Sequence, residues 1–152
     1  MPNRRDFVVT AAGLLLTTLW ARRVPARAPQ SITIYKSKTC GCCAKWVEHL
    51  QANGFTTQVH DEESMDQIKD NLGVPSSLRS CHTALVGRYL IEGHVPAGDI
   101  RKLLAERPAV AGLAVPGMPS GTPGMAQSQA DAGNYLVLAF QLDGTSRPYA
   151  KH

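Results

Sequence analysis

The sequence contains no hydrophobic run long enough to span a bilayer. Its longest apolar stretch, residues 7–20, has only 14 residues and is diluted by three threonines and a glycine, whereas a transmembrane helix needs about 20. A basic start, Arg4-Arg5, precedes this stretch and has the twin-arginine pattern of an export signal. We therefore predict a signal peptide over residues 1–28, a periplasmic destination for residues 29–152, and no stable membrane span after the leader is cleaved.

An excess of charge of one sign is also missing once the leader is set aside. The chain has 16 basic and 12 acidic residues. Residues 1–30 hold five of the basic and one of the acidic residues, which leaves eleven of each in the remainder. A balanced domain lacks the basic surface that binds a phosphate backbone, so nucleic acid is excluded as a partner.

The chain shows neither an internal repeat nor a second domain, and its elements follow in the order β-α-β-α-β-β-α. Residues 31–35 and 55–60 have strand composition, and an apolar stripe from Cys43 to Leu50 predicts the helix between them. Ser64 with Gln67 begins a second helix with Met65, Ile68 and Leu72 inward. A hairpin turns at Gly87-Arg88, and a third helix runs from Pro96 to about Arg107.

This order is typical of an α/β domain of the thioredoxin-like (glutaredoxin-like) type, with a mixed sheet flanked by helices. The tail departs from that pattern. Residues 112–125 are rich in glycine and proline and predict a loop. Residues 135–149 predict a final hairpin that turns at Asp143-Gly144.

Three cysteines occupy four positions where the first strand meets the first helix, and a fourth cysteine lies far along the chain. They are Cys40, Cys42, Cys43 and Cys81. In an exported chain four cysteines could form two structural disulfides, but such bridges usually join distant segments. Adjacent cysteines do not bond each other comfortably, which leaves a Cys40–Cys43 pair, or one of these two bonded to Cys81, as the candidates.

The Cys40–Cys43 spacing also suits thiol-disulfide exchange. A helix N-terminus stabilises a thiolate and lowers its pKa, and Lys36, Lys38 and Lys45 add positive charge. Cys40 would attack and Cys43 would resolve the mixed disulfide. Against this reading, the extra thiol of Cys42 would invite scrambled products.

A metal site is the third interpretation, because clustered thiolates favour soft ions such as Cu(I). Since thioethers bind Cu(I) well and zinc poorly, Met118 and Met125, which flank the Gly/Pro loop, become further candidates. Imidazoles are the remaining donors: His82 follows Cys81 directly, and His94 lies between the fourth strand and the third helix. His49, His60 and His152 are expected to take no part in the site.

Four sequence segments together resemble the CopG-type family of periplasmic copper-resistance proteins. They are Cys-Gly-Cys-Cys, Ser-Cys-His-Thr, Glu-Gly-His-Val-Pro and the Gly-Met-Pro loop. The resemblance extends over residues 32–150. It implies a thioredoxin-like fold, copper bound at the cysteine cluster, and a role in copper handling, with interconversion of Cu(I) and Cu(II) as a proposed activity. The thiolates it implies are Cys40, Cys42, Cys43 and Cys81.

These observations predict a periplasmic copper-binding protein that holds Cu(I) in a thiolate cluster and that exchanges copper with other periplasmic copper-handling proteins. An enzymatic activity, as a copper oxidoreductase, is left open. One alternative is a glutaredoxin-type oxidoreductase that uses Cys40 and Cys43 as catalytic residues. The other is a zinc-stabilised interaction domain. The copper prediction requires Cys81 to fold back onto the other three cysteines.

Overall fold

The computed structural model describes residues 29–126 and 132–152. The predicted signal peptide, residues 1–28, lies outside this range. Within it, no helix has the length and apolar character that crossing a membrane would require. The first seven helices and strands follow the predicted order, and three further strands come after them.

Seven strands form one mixed sheet in the order β2-β1-β3-β4-β5-β6-β7. Two neighbouring pairs, β1 with β2 and β4 with β5, are parallel, and the other four pairs are antiparallel. The strands are β1 Ser31–Ser37, β2 Thr56–Glu62, β3 His82–Val86, β4 Tyr89–Glu92, β5 Gly112–Ala114, β6 Leu136–Phe140 and β7 Ser146–Lys151. The predicted hairpin of the tail is therefore confirmed, and it extends the same sheet.

The described part of the chain contains three α-helices, α1 Gly41–Ala52, α2 Met65–Asn71 and α3 Ala97–Glu106. The predicted cap of α2 is present, since the Ser64 hydroxyl accepts a hydrogen bond from the Gln67 amide. Pro96 caps α3 rather than occupying its first turn, and Arg107 ends that helix in a left-handed conformation before Pro108. A short 3-10 turn, Ser76–Leu78, leads from α2 towards β3.

The sheet separates two apolar clusters. Residues of α1 and α3, such as Trp46 and Leu103, pack on one face together with Ile91. Leu90 points to the opposite face and packs with Leu78 and Phe140. Alternate residues of β4 thus enter different clusters, as expected for a strand that is covered on both faces.

Two sequence expectations need correction. The Gly/Pro segment was expected to be a loop from residue 112, but its first three residues form β5 against β4. Gly112 permits this pairing, because a Cβ there would lie 1.9 Å from the Leu90 carbonyl oxygen. In α2, the apolar stripe of Met65, Ile68 and Leu72 is only partly covered, and the buried residue of that helix is Lys69.

Candidate metal centre

The three clustered cysteines form the start of α1. Cys40 is the N-cap residue with an extended backbone, and its amide donates to the Ser37 carbonyl. Cys43 points inward and is fully buried, whereas Cys40 and Cys42 are half-buried. The sulfurs therefore lie where the unpaired N–H groups of the first helical turn favour negative charge.

Cys40 and Cys43 form a disulfide, with their α-carbons 5.3 Å apart. Cys42 and Cys81 remain free thiols. Of the pairings left open by the sequence, the structure therefore has the C-x-x-C pair. In this form two of the four predicted thiolates are bonded to each other, so their participation in a metal site requires reduction.

Cys81 lies beside the other three cysteines, as the copper prediction requires. It directly precedes β3, which pairs antiparallel with β1 so that His82 is opposite Lys36. This register brings Cys81 to the end of β1 from which the chain enters α1. The four sulfurs all lie within 4.8 Å of one another, and those of Cys40 and Cys42 are 3.5 Å apart.

In the absence of metal, the Cys81 side chain is a protonated thiol rather than a thiolate. Burial, and secondly the neighbouring Cys42, raise the pKa of Cys81 to about 12. A cation that binds this sulfur must therefore displace its proton. The low polarity of the pocket that raises the pKa also strengthens the attraction between a bound cation and a thiolate.

Two imidazoles contact Cys81 on the side away from bulk water. His82 Nδ1 lies 3.3 Å from the Cys81 sulfur, and His94 Nε2 lies 3.2 Å from it. Both rings are fully buried. Burial lowers the pKa of each histidine, so both are neutral at pH 7, the state in which an imidazole binds a metal ion. Ligand atoms of these two histidines, Cys81 and Cys43 form a second group within 4.8 Å.

The Gly/Pro loop covers this group. Its Pro123 carbonyl accepts a 2.7 Å hydrogen bond from His94 Nδ1. The next residue, Gly124, has a φ of +85° and packs against the first turns of α1. A Cβ at this position would lie 2.8 Å from the Trp46 backbone nitrogen and 3.1 Å from the Cys42 carbonyl oxygen. The close approach and the left-handed backbone both require glycine.

The two predicted methionine donors occupy different environments. Met118 is 40% exposed and has a φ of +50°. Met125 is half-buried and follows Gly124, at the part of the loop that packs on α1. Met125 therefore lies in the segment that covers the cysteines, whereas Met118 is at the surface.

A buried charged group supports the site, and sequence reasoning missed it. The fully buried carboxylate of Glu92 accepts from Lys69 Nζ at 2.5 Å, from the Ser80 amide at 2.6 Å and from the Thr83 hydroxyl at 2.6 Å. Since Ser80 directly precedes Cys81, this carboxylate fixes the backbone that presents the sulfur. The available signal was an acidic residue that ends a strand of otherwise apolar and aromatic side chains.

The remaining histidines lie outside the two groups of candidate ligand atoms. His60 is exposed and stacks on Tyr35. His49 is half-buried, and its Nε2 accepts from the Ala97 amide at the start of α3. His152 is held near the C-terminus by Asp99, with 2.7 Å between its Nε2 and a carboxylate oxygen.

The fold and the site together define a small mixed α/β protein in which thiols and imidazoles gather at one end of the sheet. Two solved structures with related sequences are "Copper resistance protein copG- Form 2" and "Copper resistance protein copG- Form 1". Each is 43% identical to the chain and covers 82% of it and 98% of the solved chain, with TM-scores of 0.75 and 0.73. The chain therefore belongs to the CopG copper resistance protein family.

A family model described as "Protein of unknown function, DUF411" matches residues 78–125. This range runs from the end of the 3-10 turn, through Cys81, His82 and His94, to Met125. No curated protein matches the chain.

Proposed function

We propose that the protein binds copper, holding Cu(I) ions among the thiolates of Cys40, Cys42, Cys43 and Cys81 in the form in which the disulfide is reduced. The observation that carries this proposal is the gathering of all four sulfurs within 4.8 Å, including one from a distant part of the chain. Thiolates are soft ligands that favour Cu(I), and close sulfurs can each bridge two ions.

Membership in a family with copper-resistance structures supports copper over other soft ions. In this proposal the protein sequesters copper and passes it to other copper-handling proteins of the periplasm, where the twin-arginine leader directs it. His82, His94 and Met125 contribute donors at the edge of the cluster, while exposed Met118 meets copper at the surface. The β2-β1-β3-β4 order, with β1 and β2 parallel and β3 and β4 antiparallel, supports a thioredoxin-like core for residues 29–152.

The test is a Cu(I) titration of the reduced chain against a competing chelator, under anaerobic conditions. We expect copper to bind with more than one ion per chain, and Cys81→Ser to lower both affinity and stoichiometry. His60→Gln, on the exposed face of β2, is the matched control. No copper bound by the reduced chain, or unchanged binding after Cys81→Ser, would end the proposal.

A second function, thiol-disulfide exchange, is favoured by one observation, the Cys40–Cys43 disulfide at the N-terminus of α1. Cys40 is the more accessible of the pair, whereas Cys43 is fully buried, which suits an attacking and a resolving thiol. This function predicts metal-free reduction of insulin disulfides that is abolished by Cys40→Ser and inhibited by Cu(I). Copper sequestration alone predicts no turnover.

A further inference from the structure

The disulfide removes two thiols from metal binding but leaves a separate set of donors intact. Cys81 keeps its sulfur 3.2 and 3.3 Å from one nitrogen each of His94 and His82. The hydrogen bonds that the structure shows for Cys81, His82 and His94 do not involve Cys40 or Cys43. Cys81 is fixed through Ser80 by Glu92, and the two rings belong to β3 and to the turn after β4.

The His94 ring is oriented as a ligand would be. A carbonyl oxygen can only accept, so the 2.7 Å contact with Pro123 requires the proton of the neutral ring to be on Nδ1. The lone pair of Nε2 therefore faces the Cys81 sulfur. Metal-binding histidines commonly donate their other N–H to a backbone carbonyl in this way, which fixes both tautomer and ring orientation.

The His82 ring is buried without full hydrogen bonding. Its ring centroid lies 4.2 Å from that of Trp46, and its Nε2 finds no hydrogen-bond partner among the residues that the structure describes. The Cys81 thiol can donate its proton to only one nitrogen, and His94 Nε2 can only accept, so His82 Nδ1 faces the sulfur either as a donor or with a lone pair, depending on its tautomer. The unpartnered Nε2 is not the atom that faces Cys81; when the single proton of the neutral ring is on Nε2, Nδ1 directs a lone pair towards the Cys81 sulfur.

One thiolate and two imidazoles form a different donor set from a thiolate cluster. A His2Cys set is typical of mononuclear copper centres that stabilise Cu(II) as well as Cu(I), and imidazole also suits zinc and other late divalent ions. Three protein ligands leave a fourth position open for water or for Cys42, as in zinc sites that keep an exchangeable ligand.

We propose that the disulfide form binds a single divalent ion, copper(II) in the cell, through Cys81 Sγ, His82 Nδ1 and His94 Nε2. The redox state of the Cys40–Cys43 pair then selects between two binding modes: one divalent ion when the pair is oxidised, and a Cu(I) cluster when it is reduced. The choice of copper and the second mode rest on the proposed function, whereas the divalent site itself does not.

The experiment uses cobalt(II), which binds the same donors and gives visible bands without oxidising thiols. The full chain with the disulfide intact, verified by a count of two free thiols, is titrated anaerobically. We expect one Co(II) per chain with sulfur-to-cobalt charge-transfer absorption, protection of Cys81 from alkylation, and competition by zinc(II). Failure of the disulfide form to bind Co(II), or binding without a sulfur-to-cobalt band, would overturn the proposal.

Two substitutions and a matched control locate the site. His94→Gln and Cys81→Ser should each weaken Co(II) binding at least about tenfold, by analogy with changes around known metal ligands, whereas exposed His60→Gln should leave it unchanged. Circular dichroism establishes that each variant is folded, and Cys81→Ser, at a half-buried position, keeps the test decisive if His94→Gln unfolds. Co(II) affinity within twofold of the parent in a folded variant refutes the assignment.

A Cu(I) titration of the same chain after reduction separates the two proposals. If the reduced chain binds several Cu(I) ions while the disulfide form binds no Co(II), the divalent site is wrong and the proposed function stands. If the disulfide form binds Co(II) as described while the reduced chain binds no Cu(I), the divalent site stands and the proposed function is wrong.

Discussion

Replacing Lys69 by methionine should destabilise the protein strongly, because it leaves the Glu92 carboxylate buried without its counter-charge. Lys69 is 3% exposed and Glu92 is fully buried, with 2.5 Å between Nζ and Oε1. Removing one partner of such a pair typically costs 3–5 kcal/mol. Ser80 and Thr83 still donate to the carboxylate, so we expect the lower end of that range, about 3 kcal/mol.

The assay is urea unfolding followed by circular dichroism, with the disulfide intact and a chelator present so that no metal contributes. In a thermal unfolding experiment, the same loss of about 3 kcal/mol should lower the melting temperature by roughly 10–15 °C for a domain of this size. Lys36→Met is the matched control. Its partner Asp61 is 49% exposed, and a pair of that kind contributes about 0–1 kcal/mol.

A double-mutant cycle with Glu92→Gln identifies the cause. If the cost comes from an unpaired buried charge, the double variant Lys69→Met/Glu92→Gln should be more stable than the sum of the single changes predicts, by about 1–3 kcal/mol. Lys69→Met should also weaken Cu(I) binding by the reduced chain, because Glu92 holds the Ser80 amide beside Cys81. Equal costs for Lys69→Met and Lys36→Met would refute the reasoning.

Three further changes test other parts of the structure. Burial, and secondly Arg101, lower the pKa of His49, so the stability tied to its neutral ring is fully present above pH 6.5 and is lost as the pH falls through the lowered pKa. His49→Gln keeps an acceptor for the Ala97 amide but does not titrate, so the urea midpoint of this variant should change less between pH 7 and pH 5.5 than that of the parent. An equal change in the two proteins would contradict this. Gly124→Ala should cost about 1–3 kcal/mol, because its Cβ would enter the backbone of α1 at a φ of +85°. The matched change Gly41→Ala, at an exposed helical position where a Cβ meets nothing within 4 Å, should leave stability unchanged or raise it by under about 1 kcal/mol. Trp46→Phe should cost about 2–4 kcal/mol in urea unfolding, because it leaves the Val95 carbonyl without its indole donor; a loss under about 1 kcal/mol would show that the bond contributes little.

The sequence allows the convergence of the cysteines to be predicted, but not their pairing. Cys81 could be placed near α1 because the order of elements puts the strand that follows it beside β1, and the structure has that arrangement. Spacing disfavours a bond between adjacent Cys42 and Cys43 and allows the Cys40–Cys43 pair, but it does not decide between that pair and a bond to Cys81. Three cysteines at the start of one helix are compatible with a disulfide and with a metal site. The structure is needed to tell the bonded pair, Cys40 and Cys43, from the free thiols Cys42 and Cys81.

The contacts that could not be predicted join distant segments through polar atoms. A buried lysine in a helix of seven residues contradicts the usual pattern of apolar stripes, and its partner lies 23 positions away in β4. The bond from His94 to Pro123 spans 29 positions. Strand β5 was missed for a related reason, since three residues before a Gly/Pro loop have no periodicity of their own and pair only because β4 offers an open edge.

The two proposed binding modes use donors that lie on different parts of the fold. The thiols of the C-x-x-C pair belong to the first turn of α1, where forming or breaking their bond changes the number of soft ligands. Cys81, His82 and His94 belong to strand ends and turns held by Glu92 and by the Pro123 carbonyl, and neither of these contacts includes Cys40 or Cys43. Two thiolate ligands that disulfide formation removes, those of Cys40 and Cys43, thus lie beside the imidazole ligands of His82 and His94. In the proposed scheme, reduction of the disulfide adds thiolates, which favour Cu(I), whereas the disulfide form keeps the imidazoles and Cys81, which suit a divalent ion.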